Sequence, residues 1–298
     1  MQKKKWLTLL ILFLGVIPFV GVSIVPLVNG ITNSQQVAAP TASPTATVSP
    51  DNQKTKLEDE VRGYEAVLAR EPNNPTALEG LVKARLGLIQ GGHAQISTVI
   101  DPLEKLAKLQ PDNTDYRVLL GQAQQFVNNR EAAAEAYNSV LAVKPGDMKA
   151  LQGMASLMIQ QQRPEAALGL LDEAIKKAPQ ANKLQPGSVD VFAIQLLKGE
   201  VYSTQKRYPE AIAVFDQLSQ ENKTDYRPVV SKALILLQQG KTKEAEPLLT
   251  SAASLAPPEV KDQINQIALK AKTPASSAPA GQPTVPAAGG SATSSPSP

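Results

Sequence analysis

Small and large apolar residues return at a spacing of 34 along most of this chain. In each of four units an alanine is followed four residues later by a large apolar side chain and three residues after that by a smaller one, and a small residue lies twelve residues before it. A single amphipathic helix repeats about every 3.6 residues and carries no longer period, so the pattern predicts a repeated pair of helices. The alanines are Ala133, Ala167, Ala211 and Ala245, the large residues Tyr137, Leu171, Phe215 and Leu249, the preceding small residues Gly121, Ala155, Gly199 and Ala233, and the last column Val140, Ala174, Leu218 and Ala252.

The residue types in these columns indicate how the two helices pack. Small residues at facing positions let the backbones approach closely, while the aromatic or leucine side chain fills the space beside them. A proline twelve residues after the alanine predicts the end of the second helix at Pro145, Pro179 and Pro257, with Lys223 as the one departure. One helix pair cannot bury its own apolar face, so we expect the units to stack into a continuous core.

These columns resemble the tetratricopeptide repeat family, whose pattern is matched by Leu120, Gly121, Ala133, Tyr137 and Pro145. The resemblance implies an all-α fold, an α-solenoid in which helix pairs form a right-handed superhelix. It covers a domain at 53–272, with about five repeats, a degenerate half-repeat at the N-terminal end and a capping helix at 259–271. The repeats are 75–111, 114–145, 148–179, about 190–223 and 226–257, the half-repeat is 56–72, and an insertion occupies 180–189.

The N-terminal part of the chain predicts a membrane anchor at 1–30. Its residues from Trp6 to Val28 carry no charge and follow three lysines. At about 1.5 Å per residue this run is long enough to cross a bilayer core of about 30 Å. A cleaved signal peptide shares the basic start, but its apolar region is only about 7–15 residues long. We therefore expect one N-terminal transmembrane helix that contacts the lipid bilayer, in an inner or thylakoid membrane. The N-terminus is then cytoplasmic and the repeats lie on the opposite side, because basic residues stay inside.

Two segments of low complexity flank the repeats. Residues 31–52 form a linker rich in Ser, Thr, Ala and Pro, and residues 273–298 form a tail of similar composition. Neither contains enough large apolar side chains to offset the loss of chain entropy on folding, so the sequence predicts disorder in both.

Composition argues against an enzyme. The chain has no cysteine, one histidine, His93, and a formal net charge of +3. It therefore lacks the residues of a cysteine-ligated metal site or a thiol centre, and we expect no cofactor, no metal and no nucleic acid. Two short strings imitate catalytic motifs. Gly240-Lys241-Thr242 lacks the glycine that a phosphate-binding loop needs at Ile235, and Ser203 with Lys206 lacks the companion motifs of penicillin-recognising enzymes.

The resemblance also implies a binding groove on the concave side, lined by first-helix residues. Amide side chains can hold the backbone of an extended peptide, and Phe126, Ile159 and Leu237 would offer apolar contacts. For each glutamine the other interpretation is a solvated polar face. Gln122 and Gln152 stand where chaperone-tail binders carry charged clamps, which disfavours that ligand. The predicted groove residues are Lys83, Gln122, Gln125, Phe126, Gln152, Ser156, Ile159, Gln160, Glu200, Leu234 and Leu237, with Glu79, Val118, Leu196, Ser203 and Val230 beside them.

Anchor, linker and repeats together predict a membrane-anchored scaffold that docks protein partners for assembly of a membrane complex, or recruits an enzyme to the membrane. The layout resembles anchored tetratricopeptide proteins of cyanobacteria and plastids, which assist photosystem assembly or pigment synthesis at thylakoids. The alternative is a periplasm-facing, chaperone-like factor for secreted or outer-membrane clients.

Overall fold

The computed structural model describes residues 50–272, which form twelve α-helices and one short 3₁₀ segment, without a strand in that range. Consecutive helices are joined by short turns, as an array of helix pairs requires. The helices are α1 Pro50–Leu68, α2 Pro75–Gln90, α3 Ile100–Leu109, α4 Thr114–Phe126, α5 Arg130–Val143, α6 Met148–Gln160, α7 Pro164–Leu184, α8 Val191–Thr204, α9 Tyr208–Glu221, α10 Tyr226–Gln238, α11 Thr242–Leu255 and α12 Pro258–Lys272, and the 3₁₀ segment is Ile96–Val99.

The chain divides into two compact units, whose boundary falls between Glu221 and Asn222. In the first unit each helix from α1 to α9 contacts the next, and in the second unit α10 contacts α11 and α11 contacts α12. The first helices of neighbouring repeats also touch, α4 against α6 and α6 against α8. The predicted helical array is therefore confirmed within each unit.

The columns of the 34-residue period are core positions. All four aligned alanines, from Ala133 to Ala245, have no exposed surface, and Tyr137, Leu171, Phe215 and Leu249 are at most 1% exposed. A period in the sequence thus corresponds to a period of burial. Each column supplies the same part of the core to its own repeat, which explains why its residue type hardly changes.

The turns inside the repeats share one hydrogen-bonding pattern. The amide of Asn129 donates to the carbonyl of Gln124 at 2.9 Å, and the equivalent bonds close the turns after α2, α6, α8 and α10 at 2.8–3.0 Å. This bond spans six residues and requires a left-handed residue just before the donor. That residue is a glycine in two turns, at Gly92 and Gly240, but Asn128, Gln162 and Lys206 hold φ of 63°, 58° and 59° in the other three.

The prediction that Pro179 ends a helix is wrong, whereas α5 and α11 do end just before Pro145 and Pro257. Helix α7 continues through Pro179 to Leu184. Proline removes one amide donor from the helix, but buried apolar surface on both sides offsets that loss. Ala178 before it is 1% exposed, and Ala181 after it packs against the same core cluster.

Residues beyond α7 are tied back to the array. The Asn182 side chain donates to the carbonyl of Val189 at 2.9 Å and accepts from its amide at 2.8 Å. Val189 is itself buried, and a Cβ added to Gly146 would lie 2.7 Å from its Cγ2 atom. The inserted segment therefore packs tightly on the turn between α5 and α6.

Within residues 50–272 no helix has an apolar stretch long enough to span a bilayer. The predicted anchor at 1–30, most of the linker at 31–52 and the tail at 273–298 lie outside the described residues.

Candidate functional site

Helices α4 and α6 bring together most of the predicted groove residues of the first unit. We use the name α4–α6 face for the surface formed by Gln122, Gln125, Phe126, Gln152, Ser156, Ile159 and Gln160. Two hydrogen bonds hold it together. The Gln125 amide nitrogen donates to the Ser156 hydroxyl oxygen at 3.3 Å, across the two helices, and the Gln160 amide nitrogen donates to the same oxygen at 3.5 Å.

A third bond fixes the orientation of this row. The buried Tyr137 hydroxyl, on α5, donates to the Gln125 amide oxygen at 3.0 Å. The Gln125 carbonyl thus points inwards to Tyr137 and its NH₂ group points towards Ser156. Burial raises the pKa of Tyr137 well above its usual value, so this hydroxyl keeps its proton and remains a donor throughout the physiological pH range.

Two glycines create the space that Tyr137 occupies. A Cβ added to Gly121 on α4 would lie 2.6 Å from the tyrosine ring, and one added to Gly153 on α6 would lie 2.4 Å from it. The ring is therefore wedged between the first helices of two neighbouring repeats. Tyr64 against Gly80 and Phe215 against Gly199 make comparable close contacts, at 2.2 Å and 2.5 Å.

One apolar side chain stands open beside the polar row. Phe126 at the end of α4 is 68% exposed, whereas Ile159 is half-buried and packs against the core cluster of the first unit. Exposed aromatic rings of this size are common anchors for peptide ligands, because covering one removes much apolar surface from water.

Other predicted groove residues lie elsewhere. Val118 and Leu196 are 1% and 8% exposed, so they belong to the core rather than to a groove surface. Glu79 accepts a bond from the Tyr116 hydroxyl at 2.7 Å and from the Gln110 amide at 3.0 Å, which joins α2 to α4 and to the residue that follows α3. Both partners are within this chain, so Glu79 is a structural contact in the first unit.

The remaining residues stand apart from the hydrogen-bonded row. Lys83 on α2 is exposed, Glu200 and Ser203 on α8 are half-buried, and Leu234 and Leu237 lie on α10 in the second unit. There, Leu237 and Val230 pack against the core cluster around Leu249. On the α4–α6 face, Gln152 is exposed, and the Gln122 side-chain oxygen is buried without a hydrogen-bond partner in the described structure.

The prediction that Tyr137 fills the space beside the small residues is confirmed, but the sequence analysis missed the hydrogen bond that its hydroxyl makes. The signal that could have revealed its polar role is its hydroxyl, since the same column holds leucine or phenylalanine in the other repeats. A buried tyrosine hydroxyl usually finds a partner, and a glutamine on the neighbouring first helix is within reach.

Residues 128–185, which include α5, α6 and α7, match the family model described as tetratricopeptide repeat. No curated protein sequence matches the chain at a significant level.

Three solved structures show the level of similarity in fold. A thermophilic tetratricopeptide protein of Thermus thermophilus shares 18% identity over 64% of this chain and 96% of its own, with a TM-score of 0.43. A tetratricopeptide repeat protein of Parabacteroides merdae shares 15% over 76% and 87%, with a TM-score of 0.48. Pseudomonas aeruginosa PilF shares 18% over 68% and 88%, with a TM-score of 0.42.

The family model fits the helix pairs in the middle of the chain, and the same buried columns return in the repeats outside that range. Residues 128–185 are therefore identified as tetratricopeptide repeats.

Proposed function

We propose that this protein is a membrane-anchored scaffold that binds an extended segment of a partner protein on its α4–α6 face. Tetratricopeptide repeat proteins are generally protein-interaction scaffolds rather than enzymes. The observation that supports this site is the oriented row of Gln125, Ser156 and Gln160 beside the exposed ring of Phe126.

The two parts of the face supply different components of binding. Side-chain amides and a hydroxyl can bond to the backbone of an extended peptide irrespective of its side chains. The Phe126 ring, 68% exposed, can cover an apolar side chain of the ligand. Because the polar row is already held by internal bonds, little side-chain entropy is lost when a ligand docks on it.

Charge placed on this face tests the site. We expect Phe126→Asp and Gln160→Glu each to abolish co-purification of the partner, identified by mass spectrometry, without unfolding the array. Val143 provides a matched control, because it is 67% exposed at the end of α5 and lies outside this face. Val143→Asp should leave capture unchanged, as should Gln180→Glu on α7. Equal capture by Phe126→Asp and Val143→Asp would rule out the site.

The anchor proposal rests on the sequence alone. Residues from Trp6 to Val28 form an uncharged apolar run behind three lysines, which favours an N-terminus in the cytoplasm and repeats on the other side of the membrane. Clients would then be lumenal or periplasmic, which is the setting of the chaperone-like alternative. An enzyme or assembly intermediate in the cytoplasm requires the opposite orientation, and the layout resemblance to thylakoid proteins remains a prediction.

Topology can be measured directly because the chain has no cysteine. Ser276→Cys introduces one thiol, which is exposed to a membrane-impermeant reagent in intact vesicles with the cytoplasmic face outwards. We expect protection until the vesicles are opened. Labelling of intact vesicles would contradict the lysine argument and favour recruitment of a cytoplasmic partner. Extraction of the protein by salt or alkali instead of detergent would remove the anchor proposal itself.

A further inference from the structure

We propose that one edge of the first unit lies on the bilayer surface, with exposed apolar side chains in the interface and basic side chains at the lipid headgroups. This surface is separate from the α4–α6 face, so the inference goes beyond the proposed function. It rests on that proposal only for the anchor, which acts as a tether. The ligand of this edge is lipid, not protein.

The C-terminal ends of the second helices of the repeats form this edge. In the first unit these helices are α1, α3, α5 and α7, and because short turns make neighbouring helices antiparallel, all four end on the same side of the array. We call this side the second-helix edge. Each of the four helices has an exposed large apolar residue at its last position or one before it. These residues form the apolar row, Val67, Leu109, Val143 and Leu184.

The apolar row accounts for most of the exposed large apolar side chains in the first unit. Within its described residues the others are Phe126 and Val127, at the end of the first helix α4 and therefore at the opposite edge. A single exposed leucine or valine needs no explanation, since much of any protein surface is apolar. One at each of four equivalent helix ends is a pattern, and it indicates a surface that contacts an apolar phase.

Helix α7 carries its apolar side chain further out than α5 does. Measured from the aligned alanines, α5 ends ten residues after Ala133, whereas α7 ends seventeen residues after Ala167. The extra two turns add about 10 Å of helix. Leu184 at the tip is 82% exposed, although Asn182 ties the same helix end to Val189. The continuation of α7 through Pro179 therefore presents an apolar group at a fixed place on the edge.

A basic side chain accompanies each member of the apolar row. The four basic residues are exposed, lie within three residues of their apolar neighbours, and form no ion pair with another described residue. Long basic side chains can place their charged ends at lipid phosphates while their methylene groups lie along the apolar region. Apolar and basic side chains on one surface are typical of elements that lie in the membrane interface. The basic residues are Arg70, Lys108, Lys144 and Lys183.

Acidic side chains in the turns at this edge limit the electrostatic contribution. Each of the four turns that follow α1, α3, α5 and α7 carries one, and these charges offset those of the basic residues, so long-range attraction to anionic lipid is weak. Contact with the bilayer therefore depends on entry of the apolar row into the interface. A tether makes such a contact sufficient, because it raises the effective concentration of the edge at the membrane. The acidic residues are Glu71, Asp112, Asp147 and Asp190.

The distance along the chain from the predicted anchor suits this arrangement. The apolar run ends at Val28 and α1 begins at Pro50. A flexible chain of about 20 residues has an end-to-end distance of roughly 25 Å. A tether of this length keeps the first unit close to the bilayer.

Quenching of fluorescence by labelled lipid tests the edge in the full-length chain. Because the chain has no cysteine, Val143→Cys and Phe126→Cys each introduce one site for a fluorophore, at opposite edges and at side chains of nearly equal exposure, 67% and 68%. The proteins are reconstituted in phosphatidylcholine vesicles that contain a lipid with a nitroxide near the headgroup end of its acyl chain. We expect quenching at position 143 to be at least threefold stronger than at position 126. Equal quenching would overturn the proposal and leave the apolar row to a protein partner.

A second change identifies the apolar contact. In the Val143→Cys chain, Leu184→Asp removes the most exposed member of the apolar row and should reduce the quenching at position 143 about threefold. Leu184→Met is the matched control, because it keeps an apolar side chain and should preserve the quenching. Leu184 lies outside the core, so circular dichroism should show equal helicity in both variants. Unchanged quenching in Leu184→Asp would contradict insertion of the apolar row.

Failure here can be separated from failure of the proposed function. If only detergent releases the chain from the vesicles but quenching is equal at the two sites, the anchor stands and the edge is wrong. If alkali releases the chain although position 143 is quenched more strongly than position 126, the edge holds to the bilayer without an anchor. Loss of the captured partner in Phe126→Asp is measured in detergent and depends on neither result.

Discussion

Three residues other than glycine, Asn128, Gln162 and Lys206, occupy the left-handed position of their turns. A side chain with a Cβ atom in this conformation costs about 1–2 kcal/mol, and asparagine tolerates it better than glutamine or lysine. The turn after α10 shows the unstrained solution, with Gly240 at φ 74° and no atom within 4 Å of the place where its Cβ would be. The array therefore contains backbone strain at known single positions.

Glycine at these positions should relieve the strain. We expect Lys206→Gly and Gln162→Gly each to raise the free energy of unfolding by about 0.5–1 kcal/mol, since the gain exceeds the extra entropy of glycine in the unfolded chain. Asn128→Gly should raise the free energy of unfolding by less, because asparagine tolerates the conformation and Asn128 also accepts a bond from Arg130 at 3.1 Å. Urea unfolding measures the three values, and a larger gain at Asn128 than at Lys206 would contradict the explanation.

The close contact at Tyr137 predicts that two glycine-to-alanine substitutions change the stability of the fold in opposite directions. Gly153→Ala would place a Cβ 2.4 Å from the Tyr137 ring, and the backbone of Gly121, packed so closely that its own Cβ would lie 2.6 Å from the ring, leaves little room for the ring to move away. We expect a loss of about 1–3 kcal/mol from overpacking. Gly169→Ala, on α7 with nothing within 4 Å, should gain about 0.5–1 kcal/mol from helix propensity. Thermal unfolding of the two variants gives the comparison, and equal shifts would mean that the ring is not wedged.

At the scale of the helices, the core positions that recur in every repeat could be predicted from the sequence. The columns around Ala133 and Tyr137 were predictable because they meet the same neighbours in every repeat, and they are buried as expected. Pro179 was not predictable from its column. Its effect depends on Ala178, Ala181 and Asn182, which pack against or bond to residues specific to the insertion. The hydroxyl bond from Tyr137 to Gln125 likewise depends on one pair in one repeat.

An aspartate at the N-terminus of α10 makes a pH-dependent contribution to the stability of the fold. Asp225 accepts from the amide of Arg227 at 2.9 Å and is hydrogen-bonded to its guanidinium, which holds the pKa of the Asp225 carboxyl below its usual range. Because this pKa is lower in the folded than in the unfolded chain, the stabilisation is complete above the unfolded value of about 3.9 and is lost as pH falls through the folded value.

Asp225→Asn isolates this charge, because asparagine is an equally good helix cap. We expect the variant to be less stable than the native chain at neutral pH, with a difference that shrinks as pH falls below about 4. Asp190→Asn is the matched control for the cap, because Asp190 accepts a bond of 3.0 Å from the amide of Ala193 at the start of α8. Urea unfolding between pH 3 and pH 7 provides the data. A difference for Asp225→Asn that does not change over this range would contradict the ion-pair argument.

For the whole molecule, the division into two units gives α12, the last helix of the described residues, a defined role. In the second unit α12 packs on α11, and Ile264, 2% exposed, enters the same core cluster as Ala245 and Leu249. The Lys272 amino group lies 2.5 Å from the Glu246 carboxylate. An apolar surface on α11 that would otherwise face water is thus covered by α12, as expected of a helix that ends a repeat array.

Weakening the contact between α12 and α11 should destabilise the second unit before the first. We expect Ile264→Ala to cost about 2–5 kcal/mol, the usual range for loss of a buried isoleucine side chain. Amide hydrogen exchange should show the loss of protection in α10, α11 and α12 before it appears in α4, α5 and α6. Leu269→Ala is the control, because Leu269 lies on the same helix and is 65% exposed. Uniform loss of protection along the chain would show that the two units open together.

The side-chain bonds between helices connect points that are close in the sequence. Gln125 and Ser156 are 31 residues apart, Lys149 and Asp115 are 34 apart, and Arg207 and Glu165 are 42 apart. Contacts of such short range require the closure of short loops only, which favours rapid folding. The first helix pairs can therefore become ordered before the later ones do, and each new pair finds a folded surface on which to assemble.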